Sequence, residues 1–312
     1  MNRKLQAGGV TLWLSLATVL LVVFLLVIAS WWSSEPDVIA LSKNTPAEVS
    51  GQASVRALID VSTTLLDKPG GYLTNDVLPP SVMMDNMASW EFGVLAQVRN
   101  LTRGMRIYMA RSQSQSTEDS DLAKANPKFN YDNNSWLLPS TESEYREGIA
   151  YLKSYQMRLV AGEAGFYPRA DNLHSWLDGV EKDLGSLSQR LSASVGQKRI
   201  DMDNISGEVE SKTPWMQIDN VLYEARGTCW ALIHFLNAAD KDFADVLQKK
   251  QARQSLLQII RELEETQEPV WSPIVLNGTG FGLMPNYSLV MANYISRANA
   301  AIIDLRALLN QG

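Results

Sequence analysis

Residues 10–30 read VTLWLSLATVLLVVFLLVIAS, 21 consecutive positions without a charge, 17 of them apolar. As a helix rising about 1.5 Å per residue, such a run crosses the roughly 30 Å hydrocarbon core of a bilayer, and no water-soluble fold leaves it exposed. Arg3 and Lys4 precede the run, whereas Glu35 and Asp37 are the first charges after it and Lys43 is the first lysine. This asymmetry predicts a cytoplasmic N-terminus and a body on the far side of the membrane. Trp31 and Trp32 stand where an aromatic belt meets the outer headgroups. A cleaved signal peptide is the competing reading, since Val27-Ile28-Ala29 resembles a cleavage site. The apolar run exceeds the roughly 7 to 15 residues of a signal core and a bulky tryptophan pair follows it, so a retained signal anchor is expected. No later stretch is long and apolar enough to span. The expected organisation is a cytoplasmic tail at 1–9, an anchor at 10–32, a juxtamembrane linker at 33–45 and an outer domain at 46–312. With so short a tail, an inward-signalling receptor is disfavoured.

The chain is 46% hydrophobic and 20% charged. Without residues 1–32 the apolar share falls to roughly 44%, the balance of a folded water-soluble body. Cys229 is the single cysteine, so no intramolecular disulfide staples the fold. Lys and Arg number 28 against 34 Asp and Glu. Leaving out Arg3 and Lys4 gives 26 against 34, or −8, for the outer part. An acidic body does not advertise nucleic-acid or anionic-lipid binding.

Helical periodicity dominates this body. Leu173, Leu177, Val180, Leu184, Leu187 and Leu191 form a bundle seam, with Pro168 at its start and Gly196 at its stop. Trp90, Val94, Val98, Leu101, Met105 and Tyr108 stripe a helix over about 87–111. Tyr145, Ile149, Leu152 and Leu159 mark another, opened by a Thr141/Glu144 capping box. A helix after Thr213-Pro214 is apolar on nearly every side around 229–236, which makes it central. Shorter stripes at 256–263 and 291–309, and an initial helix over about 47–66 ended by Lys68-Pro69-Gly70-Gly71, bring the expectation to about seven helices outside the membrane. Without a convincing period-two run, a sheet is not expected. The fold class is therefore all-α, one transmembrane helix followed by a helical bundle. Polar connections at 67–85, 112–139 and 196–213 punctuate it, the second holding a short helix near 121–125. Halves at 46–195 and 214–312 are possible, but one continuous domain is preferred.

Hydrolase, transferase and nucleotide-binding motifs are absent, and no enzyme, cofactor or metal is predicted. Asp171 and His174 share one helical turn, yet no Glu-x-x-His accompanies them. His234, one turn from Trp230, reads as a hydrogen-bonded core histidine, and Cys229 as a small buried hydrophobe. Gly278, Gly280 and Gly282 form a glycine-rich loop that could cradle an anion but reads better as a tight turn. Asp201, Asp203 and Ser206-Gly207 only faintly suggest a calcium loop. Arg99, Arg103 and Arg106 share one helical face, the best candidate for an anionic ligand or partner. Internal pairing with acidic stretches such as Glu262-Leu263-Glu264-Glu265 is the favoured reading of that face, ahead of an anionic ligand or partner. Of five Asn-x-Ser/Thr sequons, Asn100 falls inside a predicted helix.

Several segments, LLDKPGGYLTNDVLPP from Leu65, WEFGVLAQVRNLTRGMR from Trp90, YEARGTCWALIHFL from Tyr223 and SPIVLNGTGFG from Ser272, resemble a family of uncharacterised single-span proteobacterial membrane proteins carrying a domain of unknown function. RSQSQSTEDSDLAKA, SLSQRLSASVGQ and SLVMANYISRANAAIIDLRALL extend the likeness over most of 55–312. The resemblance implies a Gram-negative inner membrane with the body in the periplasm, and it implies no activity, cofactor or catalytic residue. The expected partners are the lipid bilayer, through residues 10–32, and a cell-envelope protein, in an accessory or scaffold role. A periplasmic binding domain for an anionic ligand or glycan is the alternative, and an unrecognised envelope hydrolase the second.

Overall fold

A computed structural model describes residues 2–39, 49–111, 117–200, 208–270, 272, 274–279 and 283–311. Its first helix, α1 (Asn2–Trp32), carries the apolar run, which is long and apolar enough to cross a membrane and is not buried by the rest of the chain. Among the described residues nine further α-helices follow, two more than the stripes predict: α2 (Gln52–Asp67), α3 (Asp85–Gly104), α4 (Ser120–Phe129), α5 (Thr141–Val160), α6 (Ala170–Ser192), α7 (Ile218–Asp242), α8 (Ala244–Lys249), α9 (Arg253–Glu265) and α10 (Tyr287–Asn310). One of the two, α4, is the short helix expected near 121–125; the other, α8, has 6 residues, too few for a stripe to repeat.

Among the described residues the paired strands are β1 (Gln197–Ile200) and β2 (Glu208–Ser211), an antiparallel ribbon in the expected connection between α6 and α7. It contributes no layer to the body, and its sequences QKRI and EVES lack the apolar alternation that announces a strand. The faint calcium loop at Asp201, Asp203 and 206–207 lies outside the described residues.

The stripes face one core. Every member of the Leu173–Leu191 seam is buried on α6, which continues as a 3-10 turn and ends at Gly196 with φ +88°. On α7 the run from Ala225 to Leu236 is buried all round, the signature of a central helix. Trp90, Trp176, Trp230, Tyr145 and Tyr155 are its largest fully buried side chains.

Two glycines let the central pair touch backbone to backbone. A Cβ on Gly227 of α7 would lie 2.0 Å from the Trp90 carbonyl of α3, and one on Gly93 of α3 would lie 2.1 Å from the Glu224 carbonyl of α7. This contact brings α3, before the ribbon, against α7, after it.

Side chains distant in sequence fix the ends. Asp242, at the end of α7, accepts from the N–H groups of Gly51, Ala53 and Ser54 and so caps α2. Burial pushes its carboxyl up, against the pull of those hydrogen bonds. Lys68 and Glu91, both wholly buried, pair at 2.6 Å. Glu91 also accepts from the Leu73 and Thr74 amides, pinning the turn after α2. On α5 the cap is Ser140, one residue before the expected capping box. Thr141 is buried, its hydroxyl bonded to the Asp132 carbonyl, while Glu144 pairs with Lys128.

Candidate functional site

The arginine face lies where α3 crosses α6. Gly104 lets Trp176 approach, since a Cβ there would sit 3.1 Å from the indole Cδ1. Beside this crossing opens a hollow of about 420 Å³, lined by Arg99, Arg103, Asn130, Trp176, Lys182 and Asp183 among others.

The three arginines do not act as one stripe. The chain leaves α3 through a π-helical turn, Met105–Met109, with more residues per turn than an α-helix, and Arg106 does not line the hollow. Arg106 pairs there with Glu118 at 2.8 Å and reaches Asn126. Arg99 meets no carboxylate among the described residues. Its Nε donates to the Phe129 carbonyl at 2.7 Å, and an Nη to the Tyr131 carbonyl at 3.0 Å and the Tyr145 hydroxyl at 3.3 Å. Burial holds the Tyr145 phenol up and therefore neutral, outweighing the Arg99 charge. Arg103 is exposed, with no ion pair among the described residues. Among the described residues the acidic run on α9 makes no pair with these arginines, and its Glu262 pairs instead with Arg297 at 2.5 Å.

The hollow nevertheless contains carboxylates. Asp183 accepts from the amides of Gln97 and Asn100, and Asp178 pairs with Lys182 and Arg306. The hydrogen bond from Lys182 holds the Asp178 carboxyl below its ordinary range, assisted by Arg306. Arg99, Arg103 and Lys182 thus exceed the two aspartates by one charge, beside amide groups and the indole of Trp176. Such a lining suits an anionic or hydroxyl-rich molecule, held by charge-assisted hydrogen bonds and ring contact.

The remaining candidates that the structure describes make contacts within the fold. Gly278 closes a turn by donating its N–H to the Pro285 carbonyl, and a Cβ there would lie 2.0 Å from the Met284 carbonyl. Gly280 and Gly282 lie outside the described residues. Cys229 is wholly buried, its thiol pushed up to about 12 by burial. His174 contacts Asn310, and no group of three or more His, Cys, Asp or Glu among the described residues could hold a metal ion. Asn100, within α3 as expected, is spent on Asp183.

A second arrangement is one that sequence reasoning missed. The described part of the expected linker, residues 33–39, lies along α7 as a strap. Glu35 accepts from Arg226 Nε at 2.9 Å, the Asp37 carbonyl accepts from Trp230 Nε1 at 3.2 Å, and the Ile39 N–H donates to His234 Nε2 at 2.9 Å. Arg226, Trp230 and His234 stand four residues apart and so share one face of α7. Arg226 also donates to the carbonyls of Thr266 and Glu268, tying the end of α9 to the same point. His234 Nδ1 lies 2.7 Å from the Trp230 carbonyl, which assigns the proton to that nitrogen and leaves Nε2 to accept. Its burial pushes it down to about 4. Burial raises the Glu35 carboxyl, opposed by the Arg226 guanidinium.

The tryptophan pair divides between an exposed ring and a packed one. Trp31 is exposed, as an aromatic belt requires, while Trp32 is half-buried against the turn after α2. A Cβ on Gly70 would lie 2.7 Å from its ring. The only sequence signal for the strap was the i, i+4, i+8 recurrence of Arg226, Trp230 and His234, which resembles ordinary amphipathic spacing.

Compared with known proteins, the chain matches over residues 5–312 a family model described as an uncharacterized protein conserved in bacteria. No curated protein and no solved structure matches it.

Proposed function

The chain belongs to the family of uncharacterized proteins conserved in bacteria designated DUF2333, and on that premise we propose that it is a non-enzymatic, membrane-anchored accessory or scaffold protein of the cell envelope. Its anchor is α1, its N-terminus faces the cytoplasm, and its helical body stands in the periplasm of a Gram-negative cell. The strap carries this reading. A tethered enzyme needs only a flexible linker, whereas here the three hydrogen-bonded points from Glu35 to Ile39 weld the residues after the anchor to the central helix. A welded anchor holds the surface of the body at a fixed height and angle, which is what presenting a partner requires. Orientation follows from Arg3 and Lys4 ahead of the span and the acidic Glu35 and Asp37 after it.

Site-specific photo-crosslinking in living cells tests the role. Probes at exposed body positions such as Arg103 and Leu137 are expected to capture one recurrent envelope protein. Repeated failure to capture any partner from the intact, anchored chain contradicts it. A C-terminal alkaline phosphatase fusion, active only outside the cytoplasm, tests the orientation.

A second reading rests on the hollow at α3 and α6. Arg103 without an ion pair among the described residues, beside an Arg99 met there by carbonyls and a phenol, supports capture of an anionic ligand or glycan. Calorimetric titration with sialylated and neutral oligosaccharides discriminates, and binding lost on Arg103→Glu supports this reading over a purely scaffolding one.

A further inference from the structure

Two loops beside the anchor present apolar side chains to the outside on a rigid frame. The connection from α2 to α3 exposes Val77, Leu78, Val82 and Met83, and the connection from α4 to α5 exposes Trp136, Leu137 and Leu138. Leu138 is 97% exposed and Leu78 71%. These tips are not loose. Asn75 Nδ2 donates at 2.9 Å both to the Ser135 carbonyl and to Glu142, stitching the two loops together. Ser81 bonds the Leu78 carbonyl at 2.7 Å, and Thr141 holds the base of the second loop through Asp132. A frame that holds apolar groups outward forgoes the stabilisation of burying them, which marks a surface that something covers.

What covers it is set by its position. Trp32, the last residue of the apolar helix, lines one hollow of about 590 Å³ together with Val77, Leu78, Pro79 and Trp136. The patch is therefore continuous with the end of the span and stands at the level where the chain leaves the membrane. From this we infer that the two loops dock on the lipid bilayer itself, their side chains entering the headgroup and upper acyl region of the leaflet next to the body. Charge supports lipid contact by apolar insertion. The stretches 74–83 and 132–142 contain Asp76, Asp132 and Glu142 but no Lys or Arg. Attachment consequently needs no anionic lipid and resists salt, unlike that of a basic surface. With the strap, the loops give the body a second foothold and fix its tilt.

This inference rests on α1 spanning the membrane, and the experiment separates the two. The full chain is placed in phosphatidylcholine nanodiscs with a fluorophore on Leu138→Cys, the native Cys229 being wholly buried and unreactive. Quenching by lipids carrying a shallow spin label is read against the same fluorophore on Leu20→Cys within α1 and on Met157→Cys, exposed near the other end of α5. Quenching of about twofold or more is expected at Leu138, unchanged at high salt, with little at Met157. At Leu20, lipids labelled deep in the acyl chain should quench. An unquenched Leu138 alongside a quenched Leu20 overturns the docking surface and leaves the span standing. An unquenched Leu20 overturns both. Equal quenching at Leu138 and Met157 overturns the assignment to these loops, and shielding of Leu138 only when two chains share a disc assigns the patch to a second copy instead.

Discussion

The Glu35 carboxylate accepts from Nε of Arg226 at 2.9 Å, joining the third residue after the N-terminal apolar helix to the central helix of the body across 191 positions of sequence. Arg226 is buried and also satisfies the carbonyls of Thr266 and Glu268. Removing it leaves a largely buried carboxylate and the carbonyls of Thr266, Gln267 and Glu268 without this donor. Arg226→Ala is expected to cost about 3–5 kcal/mol, whereas Glu35→Gln, which keeps the arginine and its carbonyl bonds, costs less. Thermal unfolding of both variants in detergent checks the order.

His234 gives the strap a defined pH dependence. Burial moves it from 6.5 to about 4, so between those values the unfolded chain binds a proton that the folded chain does not. Its contribution is therefore complete above about pH 6.5 and is lost as pH falls toward 4, a change of a few kcal/mol. Glu35 and Asp242, whose carboxyls burial raises, act in the opposite sense because the folded chain protonates them first. Comparing wild type with His234→Gln, whose amide oxygen can still accept from Ile39, removes these common contributions. The stability difference between the two is expected to change across pH 4 to 6.5, and a constant difference contradicts the assignment.

Lys68 and Glu91 form a wholly buried pair whose carboxylate also organises the turn facing Trp32. Glu91→Ala strands an ammonium in the core and is expected to cost about 3–5 kcal/mol. The double change Lys68→Met with Glu91→Met removes both charges and should recover part of that loss. Denaturant unfolding of the two variants decides.

Gly227→Ala drives a methyl group to within 2.0 Å of the Trp90 carbonyl, a backbone atom that cannot rotate away. The expected cost is about 3 kcal/mol. Gly162→Ala, at an exposed turn with nothing within 4 Å but φ +77°, costs only about 1 kcal/mol of backbone strain. Melting temperatures in the same detergent compare the two.

Short-range order made most of the fold legible. The 4-3 spacing of Leu173 to Leu191 and the all-round apolarity of 229–236 are local properties, and both segments are the helices they announce. Burial of Cys229 and His234 followed from the same periodicity. What escaped depends on distant partners. Nothing near Glu35 points to Arg226, and nothing near Arg99 indicates that backbone carbonyls of Phe129 and Tyr131, rather than acidic side chains, would receive it. The π-helical turn that separates Arg106 from Arg103 carries no mark in the sequence. Short elements such as α8 and the charged ribbon lack the length or alternation that period counting needs.

The central claim is that anchor and body move as one piece, and a distance between them tests it most directly. Spin labels on Val27→Cys in α1 and on Met157→Cys in α5, both exposed, report that distance by pulsed dipolar spectroscopy in nanodiscs. The strap predicts a single narrow distribution that broadens in Arg226→Ala. A broad distribution already present in the wild-type chain, unaffected by loss of Arg226, would show that residues 33–39 act as a flexible tether and would contradict the account.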